Sequence, residues 1–123
     1  MSLRVAIFED DKDLADILKM RMESSNFTVT EVFSLKEMYW DTTDIVLGDF
    51  RNKIVSFTEL SKECKKNGIP LIAISGAETN HKPQLLKPFT IEELQAIIID
   101  TMKKSAKKKD EGFSLFGLFK KSS

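Results

Sequence analysis

Apolar residues along this chain fall into short unbroken runs that alternate with stretches of helical spacing. Residues 3–8 are apolar apart from Arg4, the pattern of a strand buried on both faces. Leu14, Ile17, Leu18 and Met22 then mark the inner stripe of a first helix, which Ser25-Asn26 breaks. Residues 28–33 are rich in β-branched and aromatic side chains and predict a second strand. Ser34 with Glu37 fits a capping box, but the helix it opens has room only for about residues 35–40 before Asp41-Thr42-Thr43 stops it. Residues 44–48 predict a third strand that delivers Asp49. Ser56 and Glu59 cap the next helix, with Phe57, Leu60 and Cys64 as its stripe and Asn67-Gly68 as its end. Residues 70–74 predict a fourth strand closed by Ser75, and residues 84–86 a short fifth. A third box, Thr90 with Glu93, opens a last helix with Leu94, Ile97, Ile98 and Met102 inward.

Alternation of strand and helix at this spacing predicts an open, mainly parallel α/β sheet. With 123 residues the chain is sized for one domain with a real core. The pattern changes after Lys104, which divides the sequence into a body, 1–104, and a Lys/Phe-rich tail, 105–123, whose first part, 105–111, reads as a linker. Charge divides there too. Residues 103–123 hold seven lysines and two acids, net +5, leaving −5 on residues 1–102 of a chain with zero formal charge. An acidic body argues against direct binding of nucleic acid, whose backbone selects basic surfaces. The first residues show no basic stretch leading into an apolar run, and no segment reaches the length of a membrane span, so a cytoplasmic location is expected. Cys64, the one cysteine, falls on the inner stripe of its helix and reads as a reduced core thiol. His81, the one histidine, reads as a solvated loop residue.

The chemistry lies where the apolar runs stop. Glu9 and Asp10 follow the first strand, Asp49 the third, Ser75 the fourth and Lys87 the fifth. In a doubly wound sheet the carboxyl ends of the strands form the ligand crevice, so one pocket collects all five side chains. Clustered carboxylates repel unless a cation intervenes, and a few oxygens with room for waters suit Mg²⁺. Asp49 is then an ionised nucleophile able to accept a phosphoryl group, whose oxygens the metal, Lys87 and the Ser75 hydroxyl can meet.

These residues, in this order, resemble the receiver domain of bacterial two-component response regulators over nearly all of residues 3–104. The resemblance implies a flavodoxin-like, doubly wound, five-stranded parallel sheet of order 2-1-3-4-5. It implies Glu9, Asp10 and Asp49 as Mg²⁺ ligands with Asp11 flanking, Asp49 as phosphoacceptor, Ser75 as switch hydroxyl, and Lys87 as the pocket lysine with a cis bond to Pro88. By this likeness the chain is a single-domain response regulator, charged by a histidine kinase or histidine phosphotransfer protein. It would signal through a downstream protein and catalyse nothing beyond its own phosphorylation and dephosphorylation.

The sequence also departs from that pattern. Eleven residues, 76–86, separate Ser75 from Lys87, too few for a regular crossover helix and strand, so the family's fourth helix is expected to be missing or a single turn. Gln84 stands where the family carries an aromatic, and Phe50-Arg51-Asn52-Lys53 replaces its Met-Pro turn, placing Arg51 and Lys53 to steady a phosphoryl group or to pair with Glu9 or Asp10. Losing the helix predicts an uncovered apolar strip over strands four and five. Phe113, Leu115, Phe116, Leu118 and Phe119 are the candidates to cover it, in the same chain or in a homodimer. The competing readings of the tail are contact with an anionic membrane surface or a partner, and a tail without fixed contacts. The competing reading of the body is a degenerate receiver acting as a phosphorylation-independent interaction module. A haloacid-dehalogenase-type phosphatase needs an acid where Arg51 stands, and flavin or dinucleotide binding lacks its glycine-rich turn after strand one.

Overall fold

The computed structural model of the chain describes the backbone of residues 2–122 and the side chains of residues 2–106. Its strands are β1 (Leu3–Phe8), β2 (Phe27–Glu31), β3 (Ile45–Asp49), β4 (Leu71–Ser75) and β5 (Gln84–Leu86), and its helices are α1 (Lys12–Glu23), α2 (Phe57–Lys66) and α3 (Ile91–Ser122). All four strand pairings are parallel, in the order β2-β1-β3-β4-β5. The limits of β1 and β5 match the sequence reading; those of β2, β3 and β4 differ by one or two residues, because ladder pairing rather than composition sets them.

The alternating strand periodicity builds two cores. Val5, Ile7, Ile45, Leu47, Ile72 and Ile74 face α1 and α3, where Leu18, Met22, Leu94 and Ile98 close the layer. Ala6, Phe8, Val46 and Leu71 face α2, through Leu60 and Cys64. Cys64 is buried, and burial first, then the charge of Glu63, pushes its thiol up to about 12, as suits an inert core residue. Helix α1 is capped by Asp11, which accepts from Leu14 N at 3.2 Å. Its inner face runs through Ala15, Leu18 and Met22; Ile17, predicted inward, is 44% exposed, because it lies off that line.

The predicted helix over 35–40 is absent. Two 3-10 turns, Leu35–Glu37 and Trp40–Thr42, take its place. Ser34 Oγ accepts from Lys36 N rather than from Glu37 N, so no capping box forms. Leu35 and Met38 are three residues apart, a spacing that 3-10 geometry aligns on one face, and both pack on the second core together with Trp40.

No helix lies between β4 and β5, as expected. Eight residues suffice for the return because β5 starts level with Ala73, only two residues below the end of β4. The expected uncovered strip is not found on β4: Leu71 to Ser75 are all buried, and only Leu86 of β5 is 44% exposed. The loop covers the edge itself. His81, read as solvated, is half-buried, with Nε2 donating to Leu71 O at 2.9 Å and its ring edge-on to Phe57.

Helix α3 starts with a reciprocal box: Glu93 N donates to Thr90 Oγ1 at 3.1 Å, and Thr90 N to Glu93 Oε1 at 3.3 Å. Its backbone continues through 105–111, where Ala, Lys and Glu are good helix formers, rather than breaking into a linker. The contacts expected of Phe113, Leu115, Phe116, Leu118 and Phe119 lie outside the described residues. Among the described residues, no helix is long and apolar enough to cross a membrane.

One close approach fixes α2 over the sheet end. A Cβ on Gly48 would lie 2.9 Å from Leu60 Cδ2 and 3.4 Å from both Leu71 Cδ1 and Phe57 Cε1. Gly48→Ala is expected to destabilise the fold by about 1–3 kcal/mol through overpacking against buried Leu60. Chemical denaturation checks this; an unchanged midpoint would mean that the layer has slack.

Candidate functional site

The five side chains singled out in the sequence stand at the carboxyl ends of their strands, on one rim of the sheet. Glu9 and Asp10 follow β1, Asp49 ends β3, Ser75 ends β4 and Lys87 follows β5. One oxygen from each of Glu9, Asp10 and Asp49 can be chosen so that all three lie within 4.8 Å of one another. Glu9 is buried, Asp49 half-buried and Asp10 exposed, so the cluster opens to solvent on the Asp10 side. Lys87 Nζ lies 3.5 Å from Asp49 Oδ2 and 3.6 Å from Glu9 Oε1, a single ammonium shared by two carboxylates. Asp11 turns away to cap α1, while its backbone N–H approaches Glu9 Oε2 at 3.4 Å.

Backbone bonds hold these positions. Phe50 N donates to Ile74 O at 2.8 Å and Lys87 N to Ser75 O at 2.8 Å, so the residues after β3 and β5 are pinned to β4. The Lys87-Pro88 bond is cis, as is Lys82-Pro83. Ser75 Oγ donates to Ala77 O at 2.6 Å and accepts from Ala77 N at 3.2 Å, so the hydroxyl is engaged with its own loop.

Asn52 organises the loop after Asp49, a role that sequence reading missed. Its side chain donates to Asp49 O at 2.7 Å and accepts from Ile54 N at 2.9 Å and Val55 N at 3.0 Å. An Asn two residues ahead of an apolar pair is the signal that marks such a side-chain turn. Arg51 and Lys53 are exposed, and among the described residues the ion pairs of Glu9 and Asp49 are made with Lys87. Neither basic residue pairs with Glu9 or Asp10.

Burial, and then the hydrogen bond and charge of Asp49, push Glu9 up to about 7, against the opposing pull of Lys87 and of the Asp11 N–H. One ammonium does not neutralise three clustered carboxyl groups. The donor set is therefore hard oxygen, anionic and crowded, with an open side for waters, and it fits a divalent cation such as Mg²⁺.

No family model matches this chain. Solved structures do resemble it. A CheY-like response regulator receiver domain protein from Methanospirillum hungatei JF-1 is similar with a TM-score of 0.73 at 17% identity, over 88% of this chain and 99% of that one. A response regulator receiver protein from Sinorhizobium medicae WSM419 gives a TM-score of 0.71 at 19% identity, over 85% and 97% of the two chains. The non-phosphorylated HemR receiver domain from Leptospira biflexa gives 0.69 at 19% identity, over 82% and 94%. The chain has the fold of these CheY-like receiver domains.

The Glu9 carboxyl makes the site pH-sensitive. Its value of about 7 in the folded chain lies above the ordinary 4.5, so the folded state holds an extra proton between those limits. Metal-free stability is expected to fall as pH rises from about 4.5 to 7, by at most about 3 kcal/mol from this group. Glu9→Gln should remove that part of the slope, and Mg²⁺ should raise the melting temperature more at pH 8 than at pH 5.5. Thermal denaturation across pH checks both; parallel curves for wild type and Glu9→Gln would contradict the assignment.

Proposed function

We propose that this chain is a phosphoacceptor module of two-component signalling, with Asp49 as the residue that is phosphorylated. The observation that carries this reading is the Lys87 ammonium shared between Asp49 and Glu9 beside an acidic cluster on the rim of a receiver fold. An ionised Asp49 oxygen attacks the phosphorus of a phosphohistidine on a kinase or phosphotransfer protein. The new bond is O–P, the P–N bond breaks, and the departing imidazole takes a proton from solvent. When bound by Glu9, Asp10 and Asp49, Mg²⁺ would offset charge on the transferred oxygens. Lys87 moves from pairing two carboxylates to meeting a phosphoryl oxygen, and the Ser75 hydroxyl, leaving Ala77 O, would donate to another. Output then passes by protein contact, and the Lys/Phe-rich tail, 105–123, offers a second surface for a homodimer mate or an anionic membrane.

The alternative, a module that acts without phosphorylation, draws on a specific feature. Gln84, where receivers carry an aromatic, is held by two bonds at 2.8 Å to the backbone and hydroxyl of Thr79. A single experiment separates the readings. Incubation with Mg²⁺ and acetyl phosphate, followed by intact mass, is expected to show one added phosphoryl group on wild type and none on Asp49→Asn. An adduct retained by Asp49→Asn would place the site elsewhere; no adduct on wild type would favour the second reading. Lys87→Ala should slow adduct formation by at least tenfold.

A further inference from the structure

Two chains of contacts lead to His81 from residues at the strand ends, Ser75 that closes β4 and Phe50 that follows Asp49. The first begins at Ser75, whose hydroxyl has one proton, donated in this structure to Ala77 O at 2.6 Å. Two residues on, Thr79 Oγ1 donates to Gln84 Oε1 at 2.8 Å, lies 3.3 Å from His81 O and accepts from His81 N at 3.1 Å. The second begins at Phe50, the residue after Asp49. Its ring packs on Phe57 at 4.9 Å, and Phe57 in turn meets the edge of the His81 ring at 4.9 Å. Both routes end on one hydrogen bond, from His81 Nε2 to Leu71 O at 2.9 Å.

That bond closes a gap in the sheet. Strand β5 pairs only with Ala73 to Ser75, so the edge of β4 at Leu71 has no strand beside it. The imidazole takes the place of the missing backbone donor, and Ala73 N donates to Pro83 O at 3.1 Å next to it. The ring also walls a groove of about 740 Å³ that takes in Cys64, Ile69, Pro70 and Thr101.

We propose that His81 is a latch on the edge of β4, and that its release from Leu71 is how this fold reports the state of Asp49 in place of the missing helix and aromatic. The inference rests on the phosphoacceptor reading. A phosphoryl oxygen on Asp49 competes with Ala77 O for the single Ser75 proton. When Ser75 turns to it, Ala77 O loses its donor, the turn at 75–77 loosens, and Thr79 no longer holds His81 against Phe57. The moving part is the loop 76–83, and what it uncovers is the Leu71 edge with the groove beneath it.

The test follows phosphorylation and the latch in the same samples. Wild type is treated with Mg²⁺ and acetyl phosphate, which transfers its phosphoryl group to Asp49 and leaves as acetate. Intact mass reports the adduct, while NMR reports the His81 ring resonances and the exchange rate of the Ala73 amide. The expected result is an adduct, a His81 ring that shifts toward free imidazole, and Ala73 exchange faster by at least tenfold. Thr79→Ala should form the adduct as wild type does but show fast Ala73 exchange with or without it, and Thr79→Ser should restore the switch. An adduct that leaves both the His81 ring and Ala73 exchange unmoved overturns the latch and spares the phosphoacceptor reading. No adduct on wild type removes that reading and the latch with it. Equal Ala73 exchange in Thr79→Ala and in untreated wild type would show that the loop does not hold the latch.

Discussion

The site depends on one ammonium placed among three carboxyl groups. Lys87 reaches both Asp49 and Glu9 at about the outer limit of an ion pair, and the third acid, Asp10, is left to solvent. Attraction to Lys87 lowers the proton affinity of Glu9, yet burial and Asp49 raise it further, so the balance leaves Glu9 titrating near neutral pH. The free pocket is thus under-neutralised. A divalent cation held by these acids would relieve the repulsion that the fold imposes.

The fold can impose that repulsion because the rim is tied at the ends of β3 and β5. Hydrogen bonds from Phe50 N and Lys87 N to the carbonyls of Ile74 and Ser75 fix the exits of β3 and β5 on β4. Gly48 lets α2 approach closely just before Asp49, and the Asn52 turn then carries the chain away from the pocket to Ser56, whose hydroxyl accepts from Glu59 N at 3.1 Å to start α2. Buried apolar strands on both sides of these ties hold the acids together against their mutual charge. The hydrophobic effect acts along the strands; the electrostatic cost falls only at their ends.

Much of this was legible in the residues because it is local. Unbroken apolar runs marked the strands, Ser56/Glu59 and Thr90/Glu93 marked two helix starts, and the acids and Lys87 followed their strands by direct succession. What failed depended on neighbours distant in sequence. The box at Ser34 looks like the other two, but the chain from 35 to 43 must turn Leu35, Met38 and Trp40 into one core within nine residues, and only tight turns do so. Ile17 has the right spacing but lies off the line through Ala15 and Leu18. His81 had no signal, since the register of the short β5 against β4, which leaves Leu71 without a strand beside it, is not written in the sequence. The apolar strip was expected to be open for the same reason: counting the residues of a missing helix does not show what the remaining loop covers.

The eight-residue return from β4 to β5 has a further physical consequence. A helix held by its own ladder of backbone bonds moves as a unit, and shifting it means repacking a face. The loop here has little such ladder. It is held by individual bonds from Ser75, Thr79, Gln84 and His81, several of which share an atom: Thr79 Oγ1 serves both Gln84 and His81, and Gln84 Oε1 accepts twice from Thr79. Bonds that share atoms are lost together more readily than independent ones, because moving one group removes several at once. A change of one proton's partner at Ser75 is a small perturbation, worth no more than a hydrogen bond or two. A packed helix would absorb it; in a loop of shared bonds, with its last contact on an otherwise unpaired strand edge, the proposed release would need no more.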